Sequence, residues 1–324
     1  MRSARRYWWI WLAVIPVLAW TVIRVFGLDS GFPLETMLPF TPYVAAAALI
    51  VAGVAVALEN WAAAAVAALA TVCLAAALAP RLVGGETVSA SGRETIRVLA
   101  ANVYHGKADP QALVALVDRL HPDVLSVEEL TEGFSRKLIA AGLPRRFPYA
   151  VTGAYGGAAG GGLFSRLPLR ELPPQASYAF FMPTAELQLP DKRRFRLVGV
   201  HPFPPERPHS TETWEEALEG LPSAGHGAPW VLAGDFNATF DQAPFRELVG
   251  RGYRDAGEAT GKGLEPTFPR EAHLIPPITI DHVLADRRLG VVSYAVEELP
   301  GSDHRAVFAV LALPRTKAEL NAGR

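Results

Sequence analysis

The feature that most constrains this chain is the apolar character of its first eighty residues. Residues 7–26 read YWWIWLAVIPVLAWTVIRVF and carry one charge, Arg24, near their end. Twenty helical residues span about 30 Å, which matches the hydrocarbon core of a bilayer. We therefore predict a transmembrane helix over residues 7–26, in which Pro16 is tolerated and Arg24 snorkels to the membrane surface.

A second apolar stretch, residues 43–79, is interrupted by Glu59 and Asn60. A single straight helix of that length would reach about 55 Å, which exceeds the bilayer core. A hairpin of two spans, residues 43–58 and 61–79, fits better and is our prediction. The alternative interpretation is that these Ala-rich segments are buried helices of a soluble protein.

Charged residues around the first span predict its orientation. Arg2, Arg5 and Arg6 precede it, and the following loop, residues 27–42, contains no Lys or Arg. The positive-inside rule then puts the N-terminus in the cytoplasm. Three spans leave everything beyond residue 80 outside, so the chain is predicted to be a multi-pass protein of the cell membrane. A cleaved signal peptide is the rival interpretation, but no small-residue cleavage site follows the first apolar stretch.

The rest of the chain divides into three parts. Residues 81–93 are small and polar and are predicted to be a linker, residues 94–314 a folded domain, and residues 315–324 a polar tail. The single cysteine, Cys73, excludes an intrachain disulfide, so the domain depends on its own core. From residue 90 onward there are 26 Lys and Arg against 28 Asp and Glu, which lacks the basic excess of most DNA-binding domains.

Strand-like and helix-like segments alternate through the domain. The predicted strands are residues 95–103, 123–129, 147–153, 161–169, 184–190, 195–202, 229–236, 278–285, 289–296 and 306–313. The predicted helices are residues 109–121, 132–141, 211–221 and 243–252. Helices follow only some of the strands, which favours an α/β sandwich with mixed sheets over a doubly wound parallel sheet.

Polar side chains cluster where these strands end. They are Asn102, Glu128, Glu129, His201, Asp235, Asn237, Asp281, Asp303 and His304. Rigid strands that end in acids, amides and histidines are typical of a site at one rim of a sheet. Asp235 and Asn237 are two residues apart, so in an extended segment they share a face. Carboxylate and amide oxygens with few nitrogens suit Mg²⁺, or Mn²⁺, and a hard metal beside such groups suits attack of water on a phosphoryl group.

Six blocks of this chain, in this order, resemble the endonuclease/exonuclease/phosphatase superfamily with its DNase I-like fold. They are ANVYHG, PDVLSVEEL, VGVHP, VLAGDFNAT, IDHVL and GSDHRAV, and the resemblance covers roughly residues 94–313. It implies a four-layer sandwich of two mixed β-sheets flanked by helices, placed after the transmembrane helices. It also implies a hydrolase that uses a divalent metal on phosphoesters.

The resemblance further implies a role for each residue of the set. Glu129 matches the metal-binding Glu, Asn102 assists the metal and the phosphate, and Asp303 is a possible second metal ligand. Catalytic roles are implied for five residues. Asp235 activates the attacking water and Asn237 orients it. His201 contacts the phosphate, His304 stabilises the pentacovalent phosphate, and Asp281 holds His304 in place. One position departs from the family, which usually has Gln-Glu where this chain has Glu128-Glu129. If Glu128 points into the site, the number of metals it holds is open.

Several substrates and functions remain open from the sequence. The partners predicted are the lipid bilayer and a phosphoester, which is a lipid headgroup, an inositol phosphate or a nucleic acid; no protein partner or organic cofactor is predicted. The missing basic excess favours lipid-linked or small phosphoesters over duplex DNA. A membrane-tethered nuclease is the alternative, and a non-catalytic scaffold domain is a distant one. A transporter is disfavoured because the apolar segments carry few polar pathway residues.

Other motifs receive structural interpretations. The Gly-rich run at residues 153–162 precedes a strand and lacks a G-K-[ST] sequence, so it is predicted to be a loop between strands and not a nucleotide site. The basic segment at residues 191–196 is predicted to be a solvated hairpin turn, or else a phosphate-binding cluster. Trp214 is predicted to be a packing anchor and His282 structural. The remaining histidines are predicted to be solvated: His105, His121, His209, His226 and His273.

Overall fold

The computed structural model describes residues 7–85, 87–173, 180–271 and 275–314. An N-terminal helix bundle leads into a four-layer α/β domain. The helices of the bundle are α1 Trp11–Phe26, α2 Leu34–Met37, α3 Thr41–Ala57 and α4 Trp61–Val83. Three helical stretches are long and apolar enough to span a membrane: Trp8–Phe26, Leu34–Ala57 and Trp61–Val83. Their mean hydropathies are 1.9, 2.0 and 2.3.

Small residues form the contact surfaces inside the bundle. Ala48 of α3 and Ala70 of α4 are buried with Leu74 and with Val17 of α1. Alanine lets helix backbones approach closely, which is how helices pack when no water is present to drive them together. The larger apolar side chains, such as Leu12 and Leu69, point outward and are exposed. The bundle therefore exposes large apolar side chains on its outside.

Twelve strands of the described residues form two six-stranded sheets. The strands are β1 Thr95–Asn102, β2 Val124–Glu128, β3 Tyr149–Gly153, β4 Gly161–Ser165, β5 Leu169–Glu171, β6 Thr184–Gln188, β7 Arg194–Val200, β8 Trp230–Asp235, β9 Tyr253–Asp255, β10 Asp281–Asp286, β11 Gly290–Glu297 and β12 Ala306–Ala312. The first sheet has the order β11-β12-β1-β2-β4-β3 and the second β5-β6-β7-β8-β10-β9. Each sheet is mixed, with one parallel pair: β1 with β2, and β7 with β8.

Helices cover the outer face of each sheet. The helices of the domain are α5 Pro110–Leu120, α6 Glu132–Ala140, α7 Leu143–Arg146, α8 Pro208–Gly220, α9 Ala243–Gly250 and α10 Ala256–Ala259. One apolar core lies between the sheets, a second between the first sheet and α5 with α6, and a third between the second sheet and α8 with α9. Trp214 of α8 is fully buried in the third core. The predicted four-layer sandwich of two mixed sheets is confirmed.

One predicted strand is in fact two strands in different sheets. The sequence predicts a single strand over residues 161–169, whereas β4 ends at Ser165 in the first sheet and β5 begins at Leu169 in the second. Pro168 has no backbone N–H to donate and limits the preceding residue to extended conformations, so the segment before it makes the crossing between sheets.

The structure also differs from the sequence where the bundle meets the domain. Arg24 does not reach out toward solvent; it is buried and forms an ion pair with Asp241 of the domain. Helix α4 continues through Arg81, in the segment predicted as a linker, and Arg81 pairs with the same carboxylate. Beyond α4, the Val88 N–H donates to the Val291 carbonyl, so part of this segment packs on the domain.

Candidate active site

The site forms where four strands of the two sheets end side by side. Asp235 is the last residue of β8, and Asp281 is the first residue of the antiparallel strand β10, directly opposite it. Asn102 ends β1 in the other sheet and pairs in register with Glu128 of β2. The sequence places Asp281 near the middle of a strand, but β10 begins there, and this start puts its carboxylate beside that of Asp235.

The backbone at position 234, directly before Asp235, requires a glycine. Its φ is +146°, which side-chain-bearing residues rarely adopt. A Cβ at this position would also overlap the Val200 carbonyl and lie 2.8 Å from Glu128 Oε1. The glycine therefore lets the end of β8 lie close to β7 and to the first sheet, which brings Asp235 to the junction of both.

The carboxylate of Asp235 is the centre of the site. Its Oδ2 accepts from Asn102 Nδ2 at 3.0 Å, and its Oδ1 accepts from the Asn237 N–H at 2.8 Å. His304 Nε2 and His201 Nε2 lie 3.6 Å and 3.7 Å from Oδ2. Burial raises the pKa of Asp235 to about 7, although His304 opposes the rise. Such a carboxyl group is poised to exchange a proton near neutral pH.

His304 is held by Asp281. Its Nδ1 lies 3.0 Å from Asp281 Oδ2, and both side chains are buried. Burial alone would lower the pKa of His304, but the carboxylates of Asp281 and Asp235 raise it to about 10. His304 is therefore a cation at neutral pH, and Nε2, the ring nitrogen directed at Asp235, carries a proton that a phosphoryl oxygen can accept.

His201 has the opposite electrostatic character. Its burial lowers its pKa to about 4, against the raising effect of Glu129. Its Nε2 lies 3.8 Å from Glu129 Oε1, and the ring of Phe180 stacks on it at 5.1 Å between centroids. The site thus contains one neutral and one protonated imidazole on either side of Asp235, a pair of groups that favours acid–base chemistry.

Glu129 reaches the site from just beyond β2. Its φ of +60° takes the chain out of the strand, and its Oε1 accepts from Asn102 Nδ2 at 3.1 Å. Its Oε2 accepts from the His105 N–H at 2.6 Å and lies 2.9 Å from His105 Nδ1. His105 is therefore a residue of the site that the sequence assigned to solvent. Its side chain is partly exposed. The sequence feature that could have predicted its place in the site is its position three residues after Asn102.

Asn237 lies next to Asp235 for a different reason from the one the sequence suggested. The two residues do not share the face of an extended segment, because Asn237 has a left-handed backbone with φ of +49°. The turn returns the Asn237 N–H to Asp235 and directs Asn237 Nδ2 to the Pro202 carbonyl at 3.1 Å. The amide oxygen of Asn237 then remains to accept from a bound water.

Glu128 does not join the carboxylates of the cleft. It is buried between the sheets, where its Oε1 accepts from Ser126 and lies near Gly234. Burial, together with the nearby carboxylates of Asp281 and Asp235, raises the pKa of Glu128 well above its ordinary range. The departure from the usual family residue therefore lies between the sheets, against Ser126 and Gly234.

The oxygen-rich part of the cleft fits a divalent cation. Ligand atoms of Asp235, Asp281 and His304 lie within 4.8 Å of one another and all three residues are buried. Because protonated His304 has no lone pair to offer, this group contributes carboxylate oxygens only. Asp303 is half-buried, and its Oδ1 has no hydrogen-bond partner among the described residues. A buried carboxylate oxygen without a partner is costly unless a cation or water satisfies it. Glu129, Asp303 and Asn102 present the hard oxygen atoms that Mg²⁺ or Mn²⁺ prefers.

Two aromatic rings close the sides of the site, and the sequence did not single them out. Phe180 covers His201, and Phe268 stacks on His304 at 4.7 Å. Ser302 is a further residue missed by the sequence; its Oγ bonds both the Asn102 carbonyl and the His304 N–H. These contacts fix the imidazole rings and the loop before β12 relative to β1.

The other motifs lie away from the cleft. Arg193 and Arg194 pair with Glu94, Asp191 and Glu186 at the start of β7, about 20 Å along the strand from His201. This basic segment is therefore a neutralised hairpin turn and not the phosphate site. The Gly-rich run joins the antiparallel strands β3 and β4, as predicted.

Histidines outside the site fall into three groups. His282 is buried between Asp255 Oδ2 at 3.1 Å and the Ala238 carbonyl at 3.0 Å, which is a structural position. The exposed ones are His121, His209 and His226. His273 lies outside the described residues, as do Arg2, Arg5, Arg6 and the predicted polar tail.

Paired carboxylates, imidazoles and amides at the open ends of two packed mixed sheets define a hydrolase of the DNase I-like class. A scan against protein-family models matches residues 99–304 to the Endonuclease/Exonuclease/phosphatase family. The chain belongs to this family, whose members are metal-dependent hydrolases that act on phosphoesters. A comparison with curated proteins gives no significant match.

Solved structures support the fold. An endonuclease/exonuclease/phosphatase from Beutenbergia cavernae is 18% identical with a TM-score of 0.53, covering 68% of this chain and 72% of its own. TDP2 of D. rerio, complexed with a single-strand DNA product, is 16% identical with a TM-score of 0.53, covering 67% and 99%. A family protein from Leptotrichia buccalis is 13% identical with a TM-score of 0.51, covering 66% and 98%.

Proposed function

We propose that this protein is a membrane-anchored phosphoesterase that hydrolyses phosphodiester or phosphomonoester bonds by metal-assisted attack of water. The observation that carries the proposal is the position of Asp235. Its carboxylate is hydrogen-bonded by Asn102 and by the Asn237 backbone, and it faces the imidazoles of His304 and His201. A water beside this group meets a base on one side and hydrogen-bond donors for a phosphate on the other.

The roles of the side chains follow from their protonation. Asp235, with a pKa near 7, aligns the attacking water and accepts its proton, while the Asn237 amide oxygen orients the same water. His304, kept protonated by Asp281, donates from Nε2 to the negative charge that develops on the phosphoryl oxygens. His201, held under Phe180, presents Nε2 to the phosphate from the other side.

Glu129, Asp303 and Asn102 would hold the divalent cation, Mg²⁺ or Mn²⁺. A bound cation of this kind shields the phosphate oxygens and stabilises the charge of the leaving group. Asn102 connects the cation-binding residues to the water-activating residues, because its one amide nitrogen donates to both Glu129 and Asp235. Removal of the metal is expected to abolish hydrolysis, and readdition of the metal is expected to restore it.

We infer that the three apolar helices cross the membrane and that the catalytic domain lies on the extracytoplasmic side. The ends of α1 and α4 and the start of α3 meet the domain at the same end of the bundle, as three successive spans require. The Arg residues at positions 2, 5 and 6 then lie in the cytoplasm under the positive-inside rule.

The rim of the cleft lies close to the bundle. Tyr43 OH donates to the Pro277 carbonyl at 2.7 Å, and Thr36 Oγ1 donates to the Pro205 carbonyl. Pro205 is four residues after His201, and Pro277 is four residues before Asp281. Four residues reach at most about 14 Å, so the catalytic groups lie within that chain distance of the rim contacts.

This proximity favours a phosphoester carried by a lipid. Phe203 and Ile275, on the rim, expose apolar side chains, and so do Phe32 and Met37 in the segment between α1 and α3. A headgroup phosphate then reaches the cleft while the acyl chains stay in the bilayer. The domain also lacks the basic excess that binding to duplex DNA usually requires.

A membrane-tethered nuclease is the second candidate. The TDP2 structure of D. rerio holds a DNA product in the same fold. In this chain Phe180 stacks on Phe203 at 5.0 Å, and an exposed aromatic ring beside a phosphate site is a surface on which a nucleobase can stack.

The deciding experiment compares substrates on the full-length protein in lipid nanodiscs. We would measure kcat/KM with Mg²⁺, and with EDTA, on phospholipids, inositol phosphates, RNA and duplex DNA at near-physiological salt. We expect metal-dependent hydrolysis with the lipid or small phosphoesters preferred. A preference of tenfold or more for duplex DNA would establish the nuclease instead, and no activity on any of these would remove the phosphoesterase proposal.

The topology has its own test. Protease added to spheroplasts is expected to digest the domain beyond residue 90 while the membrane is intact. Protection until the membrane is breached would mean a cytoplasmic domain.

A further inference from the structure

The loop that carries Asp235 and Asn237 has a second face, directed at the helix bundle. We call residues 235–242 the reaction loop. Asp241, near its end, is fully buried and accepts three hydrogen bonds from two arginines of the bundle. Arg24 Nε donates to Oδ1 at 3.0 Å, and Arg81 makes a two-point contact at 2.7 Å and 2.9 Å. This is the geometry of a strong carboxylate–guanidinium pair.

The two arginines come from two different spans. Arg24 lies in the last turn of α1 and Arg81 in the last turn of α4, and both are buried. They precede Asp241 by 217 and 160 residues. One carboxylate of the domain therefore joins the domain-facing ends of two apolar helices.

Additional bonds hold the same segment to the bundle. Arg24 also donates to the Phe240 carbonyl at 2.9 Å, Gln242 Nε2 donates to the Glu35 carbonyl at 2.8 Å, and the Ala243 N–H donates to Asp29 Oδ2 at 2.8 Å. These bonds involve residues 240–243, which follow Asn237 by three to six positions. The end of the reaction loop therefore rests on the bundle rather than on solvent.

The bundle and the domain also meet by close backbone packing. A Cβ at Gly84, just beyond α4, would lie 2.5 Å from the Gly261 backbone nitrogen, and Gly84 has φ of +63°. The Gly263 N–H donates to the Arg81 carbonyl at 3.0 Å. Such contacts leave little freedom for the bundle to swing relative to the second sheet.

The interior of the reaction loop is stiff enough to carry a displacement from Asp241 to Asp235. The Phe236 carbonyl accepts from Trp214 Nε1, and the Ala238 carbonyl lies 3.0 Å from His282 Nε2. The Thr239 N–H is bonded to Gln242 Oε1 at 2.7 Å. Few backbone groups of this loop are left to adjust if one end moves.

We propose that Asp241 is a positioning residue for hydrolysis and that the bundle, through Arg24 and Arg81, completes the active site by fixing the reaction loop. The bundle is then part of the catalytic unit and not a passive tether. The catalytic consequence rests on the proposed phosphoesterase function, whereas the fixing of the loop does not.

The test uses the full-length protein in nanodiscs and two matched variants. Asp241→Asn removes the charge from the Arg24–Asp241–Arg81 cluster. Asp286→Asn removes a comparably buried carboxylate from its pair with Arg288, at the end of β10 remote from Asp281. Both variants lose a buried ion pair, but only the first touches the reaction loop. We would measure kcat, KM, the melting temperature and backbone hydrogen–deuterium exchange over residues 231–242.

The expected result for Asp241→Asn is a kcat at least tenfold below wild type with KM within about threefold, because alignment of water is lost while substrate contacts remain. Amide exchange in the reaction loop is expected to accelerate. Asp286→Asn is expected to keep kcat within about twofold of wild type, even if its melting temperature falls as much as that of Asp241→Asn. Equal kcat losses in the two variants, or a near-wild-type kcat in Asp241→Asn, would overturn the proposal.

A milder pair of variants covers the case in which Asp241→Asn does not fold. Arg24→Lys and Arg81→Lys keep the positive charges but lose donors, since an ammonium group cannot reproduce the planar guanidinium contacts. Each is expected to lower kcat and to leave KM near wild type; unchanged kcat in both would contradict the proposal. If wild-type protein hydrolyses none of the phosphoesters, the proposed function fails, and exchange in the reaction loop alone then decides whether the bundle fixes it.

Discussion

The two sheets contribute different parts of the active site, and the helix bundle supports them unequally. The first sheet and its loops carry the proposed metal half: Asn102, Glu129 and Asp303. The second sheet carries the proposed water half: His201, Asp235, Asn237 and Asp281. The bundle contacts the domain at five residues that lie in loops of the second sheet: Pro205, Asp241, Gln242, Gly263 and Pro277.

This difference indicates how the two halves tolerate change. The metal half is organised by short-range bonds around Glu129, and its neighbour His105 is partly exposed. A bound cation can draw these oxygen ligands together, so their geometry is set on binding. The water half has to hold a base at a fixed position before the substrate arrives, which requires a rigid support. The bundle supplies that support.

The largest effect is expected in the water half. Asp235→Asn keeps the shape of the side chain and one of its two acceptor oxygens but removes the base, so kcat should fall about 10²- to 10⁴-fold. The melting temperature should stay near wild type, because the carboxyl group is buried and its raised pKa shows that its charged form is not favoured there. Steady-state kinetics and thermal unfolding check both statements. A variant that keeps more than a tenth of the rate, a barrier change below about 1.4 kcal/mol, would rule out this role for Asp235.

A different response is expected in the metal half. Glu129→Gln should raise the Mg²⁺ concentration for half-maximal activity at least about tenfold, with kcat partly recovered at saturating metal, because a neutral amide is a weaker ligand. The neighbouring Glu128→Gln is the matched control, since the Glu128 side chain is buried between the sheets against Ser126. Mg²⁺ titrations of activity separate the two. An equal shift in both variants would show that the metal does not depend on Glu129.

Residues delivered by strand ends were predictable from the sequence, because apolar runs that stop at an acid, an amide or a histidine identify a sheet rim. Asn102, Glu129, His201, Asp235 and Asp281 were placed in one site in this way, and the structure brings them together. The reason given for Asn237 was wrong, because the sequence does not reveal the left-handed turn that places it.

The support behind the site was not predictable. Arg24, Arg81 and Asp241 are far apart in the sequence, and each has an ordinary local interpretation: a snorkelling arginine, a linker residue and a loop acid. Their pairing depends on how three helices stand on the second sheet, which no local pattern encodes. His105 was missed for a related reason, since a histidine in a loop is usually solvated and its contact with Glu129 depends on two neighbouring left-handed residues, Tyr104 and His105 itself.

The smallest loss of activity, when measured at acidic pH, is expected for Asp281→Asn. This substitution changes the His304–Asp281 pair, where the two halves meet. Asp281 and Asp235 raise the pKa of His304 to about 10, above its ordinary value of 6.5. The stabilisation from protonated His304 is therefore fully present below pH 6.5 and is lost as the pH rises through 10. Asp281→Asn removes one of the two raising carboxylates, so the pKa of His304 falls and burial lowers it further.

The variant should then lose activity progressively as the pH rises, from a deficit of less than about tenfold near pH 6 to a larger one near pH 9, because the imidazolium donates to the phosphoryl oxygens. The profile of kcat/KM against pH checks this, and the wild type should keep its activity to a higher pH than the variant. Asp255→Asn is the matched control, since it removes the carboxylate that holds the structural His282. If the two variants and the wild type share one alkaline limb, His304 does not act as a protonated donor, and the water half would rely on Asp235 and His201 alone.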